Sequence, residues 1–435
     1  MQFSMTPAQI LALARAPEPG DPDPDYDPFD AFDRALGSAD VADPYPVFAE
    51  LLGECPVHAG SQAHRFGTGP SMADLMAGDQ PVYNAYSYEA VETVLKDGAT
   101  FSSTGYAKSM GLVMGHTILE MDEPEHGRYR RLLQQAFTRK EMERWEVEIV
   151  GPIVHHYIDA FADRGHADLV GEFAFVYPVH AISVALGLPE ADLPIFYRKA
   201  VEITNMSSEP MRGFAASQWL YDYLLPHVQQ RRAEPQGDLI SILATAEIDD
   251  PERGAQRLTD DEIIAFLRLL LPAGAETTYR STSNLLFGLL TNPDQLAAVV
   301  ADRSLVPQAV EEAVRWEPPL TGISRTASVD TEVCGVPIPA GASVAVCMGA
   351  ANRDPSRWDD ADRFDLFRPQ RPHASFANGP HLCLGIHLAR MEMRVALEAV
   401  LDRLPGLRLD PAADAPAITG LGFRSPHHLP VVWDR

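Results

Sequence analysis

The stretch from Thr259 to about Leu290 constrains the fold of this chain more than any other. It opens on T-D-D-E, a capping box in which Thr259 and Glu262 satisfy each other's unpaired amides. Helical spacing continues from there, which predicts a helix of roughly 48 Å at about 1.5 Å per residue. A rod of that length crosses a whole domain, so the rest of the chain must pack around it. Its most apolar part, Ile263 to Ala275, is broken by Arg268 and Pro272 and is too short to span a bilayer.

Helical patterning also dominates from Asp122 to Gln135, from Glu143 to Ala162 and through much of Ile182 to Ala246. Asn292 before Pro293 reads as a helix cap and first position, and Pro307 opens the helix that carries Glu312 and Arg315. Two short strands are expected, Thr331 to Ile338 and Ser343 to Met348, joined at Pro339 to Gly341. The fold class is therefore mainly α with small β-sheets. Residues 1–33 include the run P-E-P-G-D-P-D-P-D-Y-D-P-F-D, expected to form a flexible acidic arm that serves solubility. Residues 34–435 read as a single domain, because no tract long enough for a linker follows.

Charge narrows the function. With 61 acidic residues against 35 Lys and Arg, the net charge of −26 repels a phosphate backbone, and no basic, aromatic-laced patch offsets it. Nucleic acid is not an expected partner. Met1 to Gly20 lacks the basic start and apolar stretch of a secretory signal, so the chain reads as cytoplasmic and without a membrane anchor. Four scattered cysteines, Cys55, Cys334, Cys347 and Cys383, do not describe a disulfide framework. Cys334 and Cys347 lie in apolar strand-like runs and read as small buried residues.

Cys383 is different. It sits in F-A-N-G-P-H-L-C-L-G, Phe376 to Gly385, directly before a helical run from Ile386 to Leu401. A thiolate at a helix start gains from the positive end of the dipole and from free amides, and Gly385 lets the backbone come close to the sulfur. One reading of the neighbourhood is a zinc or non-haem site for hydrolysis built from His381, Cys383 and His387, although no fourth ligand is evident. Elsewhere, His126 and Arg130 stand at i and i+4 in H-G-R-Y-R and point the same way, which suits a pair of carboxylates. The long helix carries P-A-G-A-E-T-T in its middle. There Pro272 and Gly274 weaken the helix, and an acid, Glu276, precedes an alcohol, Thr277, a combination that passes protons through water.

The loop pattern F-x-x-G-x-H/R-x-C-x-G resembles that of the cytochrome P450 family, and the other motifs follow in that family's order over more than two thirds of the chain. Ala377 stands where the family often has Gly. The resemblance implies a P450 fold, with haem b between the long helix and the helix after Cys383. Cys383 would be the axial ligand of the iron, with Phe376 beside the sulfur. His126, Arg130, Arg325 and His381 would hold the propionates, and Gly385, Ala273, Gly274, Ile118 and Leu119 would line the haem. Glu276 and Thr277 would deliver protons for dioxygen activation. Glu312 and Arg315 would form a structural network with a later arginine, Arg353 or Arg368. Met110, Ala273, Leu320, Ile323 and Phe423 would face an apolar substrate of the fatty acid, terpenoid, steroid or aromatic class.

The implied activity is a haem-thiolate monooxygenase that hydroxylates this substrate. Its two electrons would come from separate proteins, a ferredoxin-type donor and its flavoprotein reductase, because the chain has neither a dinucleotide fingerprint nor a cysteine cluster. Arg128, Arg131, Arg139, Lys140, Arg390 and Arg394 would face that donor. A peroxygenase or dehydratase is the alternative within the same fold.

Overall fold

The computed structural model describes residues 3–19, 21–35, 41–250 and 254–435. The long helix is present as Asp260–Leu290, 31 residues, with Thr259 as its N-cap and the Thr259–Glu262 box formed on both sides. Pro272 withholds an amide from the ladder, yet the helix runs unbroken through it. Around this axis pack Tyr177–Ala185, Leu193–Glu202, Pro210–Ala233, Val306–Trp316 and the cysteine helix Ile386–Arg403, and one large apolar cluster joins them.

A five-stranded sheet lies to one side in the order Val57–Ala59, Val82–Ala85, Ser343–Val346, Ile323–Ala327, Phe101–Ser102. Its neighbours are antiparallel except for Ser343–Val346 beside Val82–Ala85. The register places Arg325 opposite Val344, so Arg325 is held by a paired strand and not by a loop.

Two expectations are corrected. Thr331 to Ile338 is a hairpin of two strands, Thr331–Val333 and Val336–Ile338. It turns at Cys334 and Gly335, both at positive φ (49° and 82°), the geometry of a two-residue hairpin turn. Cys334 is therefore exposed at a tip, while Cys347 is buried as expected. Asn292 and Pro293 are the cap and first position of Pro293–Ala301, as expected, and the Asn292 side-chain amide donates back to the carbonyl of Gly288.

The acidic N-terminal segment is not a loose arm. Pro7–Arg15 and Pro28–Ala35 are helices, and Ile10, Ala14, Phe29 and Phe32 join the main core. Acidic residues between them and on the second meet cations far along the chain. Asp21 takes both terminal nitrogens of Arg212 at 2.7 Å, Glu18 meets Lys199 at 2.5 Å, and Asp33 meets Arg280 of the long helix at 3.0 Å. Self-repulsion, which argued for disorder, is cancelled by these pairs.

Candidate active site

The cysteine loop is built by backbone constraints. Ala377 lies at φ 58°, where its amide donates to the carbonyl of Ala374. Gly379 lies at φ 69°, and a Cβ there would stand 2.9 Å from Cα of Lys96. These two left-handed residues bring the chain round so that the amide of Cys383 donates to the carbonyl of Phe376 at 2.9 Å. The helix Ile386–Arg403 begins three residues later. Gly385 contributes its N–H, directed at the Cys383 sulfur. A Cβ on it would meet nothing within 4 Å, so its missing side chain is not what lets the backbone near the sulfur. Burial pushes the Cys383 thiol up, opposed by that amide and by Arg130 and Arg390. The Phe376 ring is half-buried and stacks under Arg390, with the guanidinium 5.0 Å from its centroid.

Four nitrogen groups gather beside this loop. His126, on Glu125–Leu133, is buried, and its ring centroid lies 4.2 Å from that of His381. His126 Nδ1 meets Glu123 at 3.1 Å, while its Nε2 is buried with no partner. His381 bonds Ser103 Oγ at 3.0 Å, and burial next to Arg325 and His126 pushes it down to about 3, so the imidazole is neutral. Arg130 donates to the carbonyl of Pro380 at 3.2 Å, and Arg325 donates to that of Ser324 at 2.8 Å. Among the described residues neither guanidinium forms an ion pair with a carboxylate, and burial lowers both below their ordinary range, opposed by Cys383 at Arg130 and by Tyr106 and Asp122 at Arg325. The hydroxyl of Tyr106 accepts from the amide of Ser324 at 3.1 Å, which ties it to the Arg325 strand.

The middle of the long helix shows a complementary anomaly. Flanked by buried Leu271, Pro272, Ala275 and Glu276, residue Ala273 is exposed and Gly274 and Thr277 are half-exposed. Ile118 and Leu119 are half-buried, as are Met110, Leu320, Ile323 and Phe423, and Leu320 and Phe423 bridge to each other. A central helix presenting an open stripe, an orphaned buried imidazole nitrogen, two uncompensated guanidiniums and a shielded sulfur together suit one guest. That guest is flat, largely apolar, carries carboxylates and takes a soft anionic ligand.

Glu276 and Thr277 do not meet. Consecutive helix positions lie about 100° apart, so the Thr277 hydroxyl donates to the carbonyl of Ala273 at 2.7 Å while Glu276 turns into the core. There Arg280 Nε reaches Glu276 at 3.4 Å and shares its charge with Asp33, and its Nη1 donates to Ser425 Oγ at 3.1 Å. Burial pushes the Glu276 carboxyl up to about 7, and Asp33 adds to the rise against Arg280. Gly274 faces Ile182, whose Cδ1 would lie 2.7 Å from an added Cβ. Its role is close helix packing, not local opening of the helix. Glu392, on the cysteine helix, was missed by the sequence reading. It is buried against Thr278 and pushed up to about 8 by desolvation.

Glu312 binds Arg315 through two bonds of 2.8 and 2.7 Å and also meets Arg368 at 3.3 Å. Arg315 further caps the carbonyls of Asn352, Ala361 and Arg363. Arg353 is not part of this network; it pairs with Glu317 and the carbonyl of Trp316. The zinc reading fails: His387 is exposed, and no three His, Cys, Asp or Glu residues among those described could hold a metal together. Of the basic residues expected to face a donor protein, Arg128, Arg139, Arg390 and Arg394 are paired with Glu262, Glu143, Glu311 and Glu146. Arg131 and Lys140 are exposed.

Comparison with known proteins gives the family and the fold. The model of the family described as Cytochrome P450 matches residues 203–414. The monooxygenase PikC of Streptomyces venezuelae is 34% identical over 419 residues, covering 92% of this chain and 94% of its own. The steroid C26-monooxygenase of Mycolicibacterium smegmatis is 34% identical over 372 residues, 82% of this chain and 91% of its own. Among solved structures, P450BioI in complex with hexadec-9Z-enoic acid ligated acyl carrier protein superposes with a TM-score of 0.79 at 31% identity, covering 90% of this chain and 99% of that one.

Proposed function

This chain belongs to the cytochrome P450 family of haem-thiolate monooxygenases, and from that premise we propose that it hydroxylates an apolar small molecule with electrons delivered by separate proteins. The observation that carries the site assignment is the cluster around Cys383: four buried or half-buried cationic and imidazole groups, with Arg130 and Arg325 in no ion pair among the described residues. The group they suit is haem b, with Cys383 as the iron ligand and His126, Arg130, Arg325 and His381 on its propionates. Bound through a thiolate, haem iron supplies dioxygen activation and cleavage of the O–O bond.

The residues of the chain would then manage substrate, water and protons. Ala273, Met110, Leu320, Ile323 and Phe423 exclude water from one side of the site. Thr277 holds a hydroxyl at the open stripe of the long helix, fixed by its bond to Ala273, with lone pairs free to accept. Glu276, with its carboxyl near neutrality, takes up or releases a proton at working pH. Because its side chain turns away from Thr277, the proton reaches the hydroxyl by rotation of Glu276 or through water.

A ferredoxin-type donor, itself reduced by a flavoprotein, fits the exposed Arg131 and Lys140 near the cysteine loop. Beside that loop a groove of about 420 Å³ runs between the Val306–Trp316 helix and the cysteine helix, lined by Glu311, Phe376, Leu382 and Arg390. A steroid-named relative and a fatty-acyl-bound structural neighbour support the apolar substrate class. Among the described residues no helix is long and apolar enough to cross a membrane.

The test is the absorption spectrum of the dithionite-reduced, carbon monoxide-treated protein, in wild type and Cys383→Ser. A strongly red-shifted Soret band that the substitution abolishes is expected. A band at the position typical of histidine ligation would remove the thiolate, and with it oxygen insertion. The peroxygenase reading needs no proton delivery. It predicts that Thr277→Ala leaves reductant-driven product formation absent in both proteins, whereas the monooxygenase reading predicts electrons diverted to peroxide in the variant.

A further inference from the structure

In a chain with 61 acidic residues and 35 Lys and Arg, buried guanidinium groups find carboxylates easily. Arg198, Arg280, Arg315 and Arg424 each touch one. Among the described residues, burial drags three guanidiniums below their ordinary range: Arg130, Arg325 and Arg268. The first two are accounted for by the propionates of the haem assigned above. The third is not.

Arg268 lies on the long helix five residues before Ala273, about 7.5 Å along the axis. Its Nε is buried without a partner, and among the described residues it forms no ion pair, although Asp222 and Asp261 lie close enough to oppose the effect of burial. Its guanidinium lies 5.3 Å from the centroid of the Tyr221 ring, and Nη1 lies 4.0 Å from the Cβ position of Gly115. Both nearby acids are engaged elsewhere: Asp261 accepts from the Tyr221 hydroxyl at 2.6 Å and Asp222 from Gln218 at 2.9 Å.

The surroundings are an apolar lip. Gly115 ends the short helix Gly111–Met114, whose Leu112 is 58% exposed. That turn is tied to Pro210–Ala233 by Ser217, which donates to the carbonyl of Val113, and the same helix exposes Met211 and Phe214 near its start. One guanidinium without an ion pair among the described residues therefore stands where Gly111–Met114, Pro210–Ala233 and the long helix meet, about 140° round that helix from Ala273 but beside Gly115, which packs on Ala265.

We propose that Arg268 is a substrate-anchoring residue that binds the carboxylate of an amphiphilic organic acid, whose apolar body extends along the long helix toward Ala273. This rests on the monooxygenase reading and narrows its substrate to an acid. A guanidinium stacked on Tyr221 and already desolvated loses little on meeting a carboxylate, and the planar groups match through two parallel bonds.

The test compares dodecanoate with 1-dodecanol on the purified haem protein at pH 7.5, by calorimetry and by the optical change of the haem. The expected result is that wild type binds the acid about tenfold or more tightly than the alcohol. Arg268→Gln should bring the ratio near one, and Arg268→Lys should retain part of it. An unchanged ratio in Arg268→Gln overturns the proposal, as does equal binding of the two probes or no binding of dodecanoate to wild type whose reduced carbon monoxide spectrum is that of a thiolate complex. Loss of that spectrum in wild type would instead overturn the functional reading on which the proposal rests.

Discussion

Asp33→Asn should lower the proton affinity of Glu276, although the two residues stand 243 positions apart in the sequence. Asp33 and Glu276 approach the same guanidinium of Arg280, at 3.0 and 3.4 Å. Carboxylates so placed are roughly 6 Å apart, and at an effective dielectric of about 20 their repulsion is about 3 kcal/mol, or roughly two pH units. Partial exposure of Asp33 weakens that to about one unit. The other groups facing Glu276, Tyr197 from Leu193–Glu202 and Tyr279 on its own helix, stay neutral across the range, since burial raises both phenols. Neutralising Asp33 thus removes a repulsion and leaves Arg280 to Glu276, and both changes act downward from about 7. The assay is infrared titration of the protonated carboxyl band, assigned by its loss in Glu276→Gln, alongside the pH profile of product formed per electron consumed. Both midpoints should fall by about one unit in Asp33→Asn. A midpoint that stays in place or rises would refute the coupling through Arg280.

Other consequences follow from the same geometry. The folded protein favours protonated Glu276, so this group's contribution to stability is complete below about pH 4.5 and is lost as pH rises through about 7, in total ~3 kcal/mol; urea denaturation of Glu276→Gln against wild type at pH 5 and 8 should show that difference cancelled. Ala377→Gly should stabilise the fold by about 0.5–1 kcal/mol by relieving a left-handed alanine. Gly379→Ala should cost about 2 kcal/mol or more and impair haem retention, because its Cβ would strike the backbone of Lys96. Arg315→Ala should cost about 3–5 kcal/mol, or prevent folding, since three carbonyls and Glu312 lose their donor. Gly274→Ala should cost about 1–3 kcal/mol, with Ile182→Val restoring part of it in the double variant; strict additivity would show that the two residues do not meet.

What was legible in the sequence had local causes. The capping box at Thr259 depends on residues three apart, and the cysteine loop compresses its geometry into ten positions. The hairpin at Cys334 was also written locally, as a Cys-Gly pair between apolar residues, but a continuous apolar reading hid the turn. The N-terminal segment was not legible, because its aspartates find Arg212 and Arg280 only after the chain has folded back 191 and 247 residues. Arg353 and Arg368 were equivalent candidates for Glu312 in sequence, and only their placement separates them. The side-chain direction of Glu276, away from its neighbour Thr277, likewise follows from the position of Arg280 and not from adjacency.

Ion pairing, more than complete hydrogen bonding, separates the arginines that hold this fold from those that serve a guest, since core atoms such as His180 Nε2 and Trp145 Nε1 also lack partners among the described residues. Glu312, Arg315 and Arg368 lie in the core with their polar atoms matched to one another and to backbone carbonyls, so removing any one leaves a buried charge exposed to nothing. His126 and Arg325 are buried and Arg130 and Arg268 half-buried, yet among the described residues His126 Nε2 and Arg268 Nε have no partner and none of the three guanidiniums forms an ion pair. A folded chain with a surplus of 26 negative charges has ample acid to satisfy four cationic or imidazole groups, and in the core it does so repeatedly. At these four positions an anionic guest would recover part of the cost of desolvation. Three of these groups surround Cys383 and the fourth stands at the apolar lip. The pattern thus predicts two anionic guests, one held at the cysteine loop as cofactor and one admitted at Arg268 as substrate.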